Sequence, residues 1–264
     1  MTPVRLGAVS YLNTKPLVHG LDARPDLFDV RFDVPSQCAA LLHAGAVDVG
    51  LIPAIEYLRG DDYRIVPGVA IGSDGPVVSV AIFSKTPLAR VRTLALDTSS
   101  RTSAALTRIL CARHFGIAPA FIEGAAGLDG MLARADAALL IGDPALHLDA
   151  EAAGLEKTDL GAAWQALTGL PFVYAMWTGR EGAATPAHVA ALNEARAAGE
   201  RDIDAMAAAY GAGDAARTDQ ARRYLRDTLK FGLGEAERAG LERFHELAVE
   251  LALAPARRPL RFYE

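Results

Sequence analysis

Along the first two-thirds of the chain, short apolar runs alternate with amphipathic segments, the order expected of a mostly parallel sheet built from strand–helix units. Runs at residues 4–9, 29–34, 47–52, 65–70 and 77–84 read as one strand series. Runs at 93–97, 118–122, 137–141 and 171–177 read as a second. Between the second and third runs lies PSQCAALLHAG, where Ser36 reads as an N-cap, Cys38, Leu41 and Leu42 share a helical face, and Gly45 ends the helix. After Asp97, the stretch TSSRTSAALTRILCARHFG puts Leu106, Ile109 and Leu110 on one face, with Gly116 as the stop. Three helices are predicted to close the chain, at 186–210, 219–231 and 235–253. Thr185 before Pro186 is an N-cap followed by a first-turn proline. In the last helix Leu241, Phe244, Ala248 and Leu251 recur at helical spacing, so one face is buried.

The two strand series imply an α/β protein of two lobes. A polar, Pro-containing join, SKTPLARVR (84–92), separates them, and the chain would return near 177–180. One lobe is then expected from residues 1–86 plus 178–264, and the other from 90–176. Paired connections of this kind form a hinge that can close two lobes on a ligand held in the cleft between them.

Composition narrows the partners. A net charge of −5 over 264 residues argues against nucleic acid, which needs a basic face, but leaves room for a small anion held by local donors. No apolar run approaches the roughly 20 residues of a membrane span. The start, MTPVRLGAVSYLNTKP, lacks the apolar stretch and cleavage site of a secretory signal, so no membrane association and a cytosolic location are expected. Cys38 and Cys111 lie far apart among apolar neighbours, as buried free thiols do.

Open α/β sheets bind ligands at the carboxyl ends of their strands. Here those turns carry hydroxyls and amides: Ser10 and Asn13 after the first strand, Ser36 after the second, and Ser79 in the fifth. The richest turn, Asp97-Thr98-Ser99-Ser100-Arg101-Thr102-Ser103, holds five Ser/Thr residues and opens an amphipathic helix. Hydroxyls, free N–H groups and the positive helix end converge there, suiting a carboxylate or phosphate, with Arg101 able to add a charge-assisted bond. Capping accounts for one of these hydroxyls, not five. Asn13 can donate and accept, yet a turn residue bonding its own backbone reads equally well. Asp143, between Gly142 and Pro144, fits an N-cap that can also face the cleft. Trp164 and Tyr174 read as packing residues. Six scattered histidines offer no metal-ligand pair, and Walker, GxGxxG and GxSxG patterns are absent, so neither metal nor cofactor is expected. On these grounds alone a binding protein outranks an enzyme.

Several blocks nevertheless resemble one enzyme family. SYLNTKPL (10–17), VDVGLIPAIEYLR (47–59), IVPGVAIGSDGPVVSV (65–80), LALDTSSRTSAALTRILC (94–111), LLIGDPAL (139–146) and DLGAAWQALTGLPFVYAMW (159–177) are similar, in order, to the chorismate dehydratases of the futalosine route to menaquinone. YLRDTLKFGLGEAERAGLERF (224–244) adds weaker support. The resemblance implies a type II periplasmic-binding-protein fold and dehydration of a small dianion, chorismate, without a cofactor. It further implies Asn13 as a catalytic or orienting residue, and the 98–102 turn as a carboxylate site. A sister family, 1,4-dihydroxy-6-naphthoate synthase, shares fold and pathway. It opens its cleft with a Cys-Pro-Asn-Asp-type segment and carries a His-Glu pair where this chain has Gly142-Asp143-Pro144, so the dehydratase is preferred. A solute-binding protein for a small carboxylate is the alternative from another class.

Overall fold

In the computed structural model, which describes residues 2–124 and 127–264, two sheets share the strands. The chain runs β1 (Val4–Val9), β2 (Phe28–Asp33), α1 (Pro35–His43), β3 (Val49–Pro53) and β4 (Tyr63–Ser73) before crossing to the second sheet. There it forms β5 (Val80–Ser84), β6 (Thr93–Asp97), α2 (Arg101–Leu110), β7 (Ala120–Gly124), α3 (Gly127–Leu132), β8 (Ala137–Ile141), α4 (Gly142–His147) and β9 (Glu156–Asp159). After α5 (Leu160–Thr168) it returns in β10 (Phe172–Arg180), followed by α6 (Pro186–Arg201), α7 (Ile203–Gly211), α8 (Ala215–Arg223), β11 (Leu229–Lys230) and α9 (Glu235–Glu250).

The first sheet has the order β11-β4-β10-β3-β1-β2 and the second β7-β6-β8-β5-β9. Pairing is parallel where strand–helix units repeat, β1 with β2 and β3, and β6 with β7 and β8. It is antiparallel wherever the crossing strands β5 and β10 take part. The sheets are therefore mixed, not mostly parallel.

The crossings also lie elsewhere than expected. Residues 80–84 pair with β8 and β9 of the second sheet, while β10 pairs with β3 and β4 of the first. The polar join at 84–92 is a turn within the second sheet, and the chain actually crosses through residues 74–79, where Asp74 and Pro76 are exposed while Val77 and Ser79 are buried. Polarity marked a surface turn, whereas the true crossing alternates exposed with buried residues, and only its Val77 and Ser79 line the cleft.

Two short strands escaped the sequence pattern. β9 is an edge strand whose residues are exposed or half-buried, and β11 has only two residues, set against Gly72 and Ser73. The helix expected over 186–210 breaks at Asp202. That expected over 219–231 starts at Ala215, and from Tyr224 to Thr228 it widens into a π turn before β11. Thr185 does sit at the N-cap of α6, where its N–H donates to His188 Nδ1 at 3.1 Å.

β3 and β8 are buried along their whole lengths, which is why they read as unbroken apolar runs. An aromatic cluster ties α5, β10 and α9 together: Trp164, Phe172 and Phe244 are fully buried, with Trp164 to Phe172 ring centroids at 5.1 Å and Phe172 to Phe244 at 5.0 Å. Such edge-to-face pairs add about 0.5–1.5 kcal/mol each beyond area burial. Cys38 and Cys111 are buried free thiols, as expected, and burial pushes both up to about 12. Among the described residues, no helix is long and apolar enough to cross a membrane.

Candidate active site

The carboxyl ends of the parallel strands of both sheets face a cleft. Its walls are largely apolar, with Val9, Pro35, Pro53, Ile71, Val77, Ile141 and Leu229 among them. The polar groups on its wall are Tyr11, Asn13, Ser79, Ser100, Ser103, Tyr174 and Tyr224. None of the lining residues carries a formal charge at neutral pH, so an anion there would meet only neutral donors and helix ends.

Two helix N-termini supply those ends. Pro35 opens α1 from one sheet, and Ser100 caps α2 from the other. Ser103 N–H donates to Ser100 Oγ at 3.3 Å, and the two hydroxyls stand 2.9 Å apart. The segments touch across the cleft, since Ser36 N–H donates to the Ser99 carbonyl at 2.9 Å.

A strained crossing aims Ser79. Val78 has φ of 58°, in the left-handed region that a β-branched residue avoids, at an expected cost of order 1–3 kcal/mol. Asp159 holds it there, accepting from Val77 N–H at 3.1 Å and Val78 N–H at 2.7 Å while also capping α5 through Ala162 N–H at 3.0 Å. Ser79, now buried, meets the Tyr224 hydroxyl at 2.7 Å. On the opposite wall Ser73 gives its hydroxyl proton to the Gly75 carbonyl, so Tyr174 must donate to Ser73 Oγ at 3.1 Å. Burial raises the pKa of both Tyr174 and Tyr224, so both remain neutral phenols. Gly142, with φ of 65°, leaves room for Tyr11: a Cβ there would fall 2.9 Å from the Tyr11 ring.

A family model described as menaquinone biosynthesis matches residues 4–250. The chain belongs to this menaquinone biosynthesis family. It is 33% identical over 272 residues to a chorismate dehydratase of Thermus thermophilus, with 97% of this chain and 98% of that protein covered. Among solved structures, a protein of Archaeoglobus fulgidus superposes with a TM-score of 0.75 at 17% identity, over 96% of this chain and 98% of the other. The periplasmic aliphatic sulphonate-binding protein of Escherichia coli gives 0.67 at 16% identity, over 100% and 94%. This member of the menaquinone biosynthesis family thus has the two-lobed periplasmic-binding-protein fold.

Of the residues singled out in the sequence, Asn13, Ser79 and Ser100 line the cleft. Others have different work. Arg101 does not reach the cleft: its guanidinium donates to the fully buried Glu56 carboxylate at 2.9 Å, from one sheet's side to the other's. Burial works against that carboxylate, but the hydrogen bond from His43 and the charges of Arg59 and Arg101 outweigh it and hold its pKa below the ordinary value. Thr102 is buried with its hydroxyl accepting from Ile55 N–H at 3.1 Å. Ser36 is not a cap; it is the second residue of α1, whose N-cap is Val34. With Thr98 and Arg101 it borders a separate outer groove. Ser10 is exposed, and its N–H goes to the Asp33 carbonyl at 3.1 Å. Ser99 contributes its carbonyl, and its hydroxyl is buried without a partner among the described residues. Asp143 is the second residue of α4, not its N-cap; behind Gly142 it accepts Leu12 N–H at 3.1 Å, another bond between the sheets.

Trp164 packs as expected, but Tyr174 is a cleft residue. Tyr11 and Ser103 stood inside motifs already recognised and could have been read from them. Tyr224 opened the weakest of the resembling blocks, but nothing in that block marked it as a cleft residue, because it is the π turn after α8 that points it inward. Among the described residues, no group of three or more His, Cys, Asp or Glu side chains is placed to hold a metal ion.

Proposed function

We propose that the chain dehydrates chorismate to 3-(1-carboxyvinyloxy)benzoate in menaquinone biosynthesis, as a cytosolic enzyme acting on a small dianion. The observation that carries this reading is the 33% identity, end to end, with the Thermus thermophilus chorismate dehydratase. The cleft supports it: a narrow, mostly apolar space with neutral donors and two helix N-termini suits a ring bearing carboxylates. The two sheets, with the crossings after Ser73 and before Phe172, are read as the two lobes that close on it.

Chorismate carries a hydrogen on ring C3 beside a hydroxyl on C4, and loss of both makes the ring aromatic, so the driving force lies in the substrate. Removal of the C3 proton sends charge into the ring carboxylate; expulsion of the C4 hydroxyl with that proton completes one water and the aromatic ring. Donors at the start of α2, Ser100 and Ser103, would stabilise the developing charge. Asn13 would orient the substrate or assist the departing hydroxyl. No carboxylate, histidine or lysine stands among the lining residues to accept the proton, which supports the substrate's enolpyruvyl carboxylate in that role. Positioning then carries much of the rate, and good orientation can supply several kcal/mol.

Incubating the protein with chorismate alone and identifying products by mass tests the reading. Enzyme-dependent loss of one water to the carboxyvinyloxybenzoate is expected. Chorismate recovered unchanged, but bound, would instead favour a binding protein.

A further inference from the structure

The turns that follow β1, β2 and β3 share one feature. Each opens a helix whose first N–H groups have no partner inside it. After β1, Leu12 N–H, at the start of the short helix Leu12–Val18, donates to Asp143 Oδ1 at 3.1 Å. After β2, Ser36 N–H in α1 donates to the Ser99 carbonyl at 2.9 Å. After β3, Ile55 N–H, in the short helix Ala54–Arg59, donates to Thr102 Oγ1 at 3.1 Å. All three acceptors come from the second sheet's side, Asp143 after β8, and Ser99 and Thr102 after β6.

A fourth bond carries charge. Arg101 Nη1 donates across the same boundary to Glu56 Oε2 at 2.9 Å. Glu56 is fully buried, and His43 and Arg59, from its own side, also bond its carboxylate. Neither Glu56 nor Arg101 is among the cleft's lining residues. Ser100 and Ser103 are, and they stand next to Ser99, Arg101 and Thr102 in the chain. The bonds that join the sheets therefore flank the hydroxyls offered to a substrate. Parting the sheets would return three N–H groups to water at little cost, but would also strip a cation from a buried carboxylate.

We propose that these four bonds are the latch that holds the cleft closed, with Arg101 and Glu56 as positioning residues that keep Ser100 and Ser103 against the first sheet. Its effect on turnover rests on the dehydratase reading; closure itself does not. Loosening the latch raises the share of open molecules, and a substrate that must close them binds more weakly in proportion. Saturating substrate restores the closed form, so KM moves and kcat does not.

Two measurements test this: amide hydrogen exchange at Ser36 and Ile55 in the ligand-free protein, followed by NMR, and steady-state turnover of chorismate. Arg101→Ala should exchange about tenfold faster at both amides while β3 and β8 keep their protection. Its KM should rise about tenfold with kcat within about twofold of wild type. Glu56→Gln should do the same, and the double variant should go little beyond either. Unchanged exchange or an unchanged KM in Arg101→Ala overturns the proposal, as does exchange that quickens everywhere alike. A lower KM in Glu56→Gln, from an Arg101 freed for the anion, would make Arg101 a substrate ligand and overturn it too. If Glu56→Gln fails to fold, Thr102→Val takes its place with Ser36 as the reporter, and unchanged exchange there overturns the latch. Wild-type protein that leaves chorismate intact removes the dehydratase reading, while the exchange results still decide the latch.

Discussion

His245 on α9 should make the protein acid-labile by a predictable amount. It is 2% exposed, its ring lies parallel to Tyr57 at 6.0 Å between centroids, and its Nε2–H donates to the Ala54 carbonyl at 3.1 Å. Nδ1 is buried with no partner among the described residues, so a second N–H would have nowhere to bond. Burial lowers the pKa from 6.5 to about 4, and the nearby Arg257 charge acts in the same sense. A depressed histidine pKa means that the unfolded chain takes up a proton the native one refuses. Its contribution to stability is therefore complete above about pH 6.5 and is lost as pH falls towards 4. At about 1.4 kcal/mol per pH unit, the full loss is about 3 kcal/mol, and about 2 kcal/mol is already lost at pH 5. The assay is urea unfolding of wild type and His245→Leu at pH 7.5 and pH 5. The variant forfeits the Ala54 hydrogen bond at every pH, a constant cost of about 1–3 kcal/mol. Other titrating groups cancel in the comparison, so the wild-type advantage should shrink by about 2 kcal/mol at the lower pH. Parallel stability curves for the two proteins would refute the reasoning.

Other substitutions probe the bonds that join the sheets. Glu56→Ala leaves Arg59 and Arg101 without their buried carboxylate; because both guanidinia are more than a third exposed and can turn to water, a loss near the low end for buried pairs, about 3 kcal/mol by chemical denaturation, is expected. Adding Arg101→Ala should cost little more, and fully additive losses would contradict the pairing. Asp159→Ala removes one acceptor from Val77, Val78 and Ala162 N–H together. A loss of about 3 kcal/mol with reduced turnover is expected, and unchanged thermal stability would deny it a part in holding the crossing. Gly142→Ala forces an L residue to φ of 65° and drives a methyl against Tyr11, so about 1–2 kcal/mol and part of the turnover should be lost; wild-type kinetics would show that Tyr11 yields freely.

Much of this protein is written locally. β1, β6 and β8 fall where their apolar runs place them, because a strand buried on both faces tolerates little else. Gly116, at φ of 65°, ends the segment after α2 for a reason internal to the chain, its missing Cβ. Asn13, Ser79 and Ser100 were legible because strand-to-helix turns at one edge of a sheet must face the same space.

What the sequence could not decide depends on partners distant along the chain. Whether residues 80–84 join one sheet or the other turns on which edge offers free N–H and C=O groups, and β8 and β9 lie more than 50 residues away. Arg101 looked like an anion ligand in a hydroxyl-rich turn, but the buried charge of Glu56 claims it, since an unpaired carboxylate inside the protein would be far costlier than a free guanidinium at its surface. Tyr224 enters the cleft only because α8 loosens into a π turn and β11 then anchors to β4. Periodicity reports how each segment divides water from core; which distant side chains meet is settled by packing and by the demand that buried polar groups find one another.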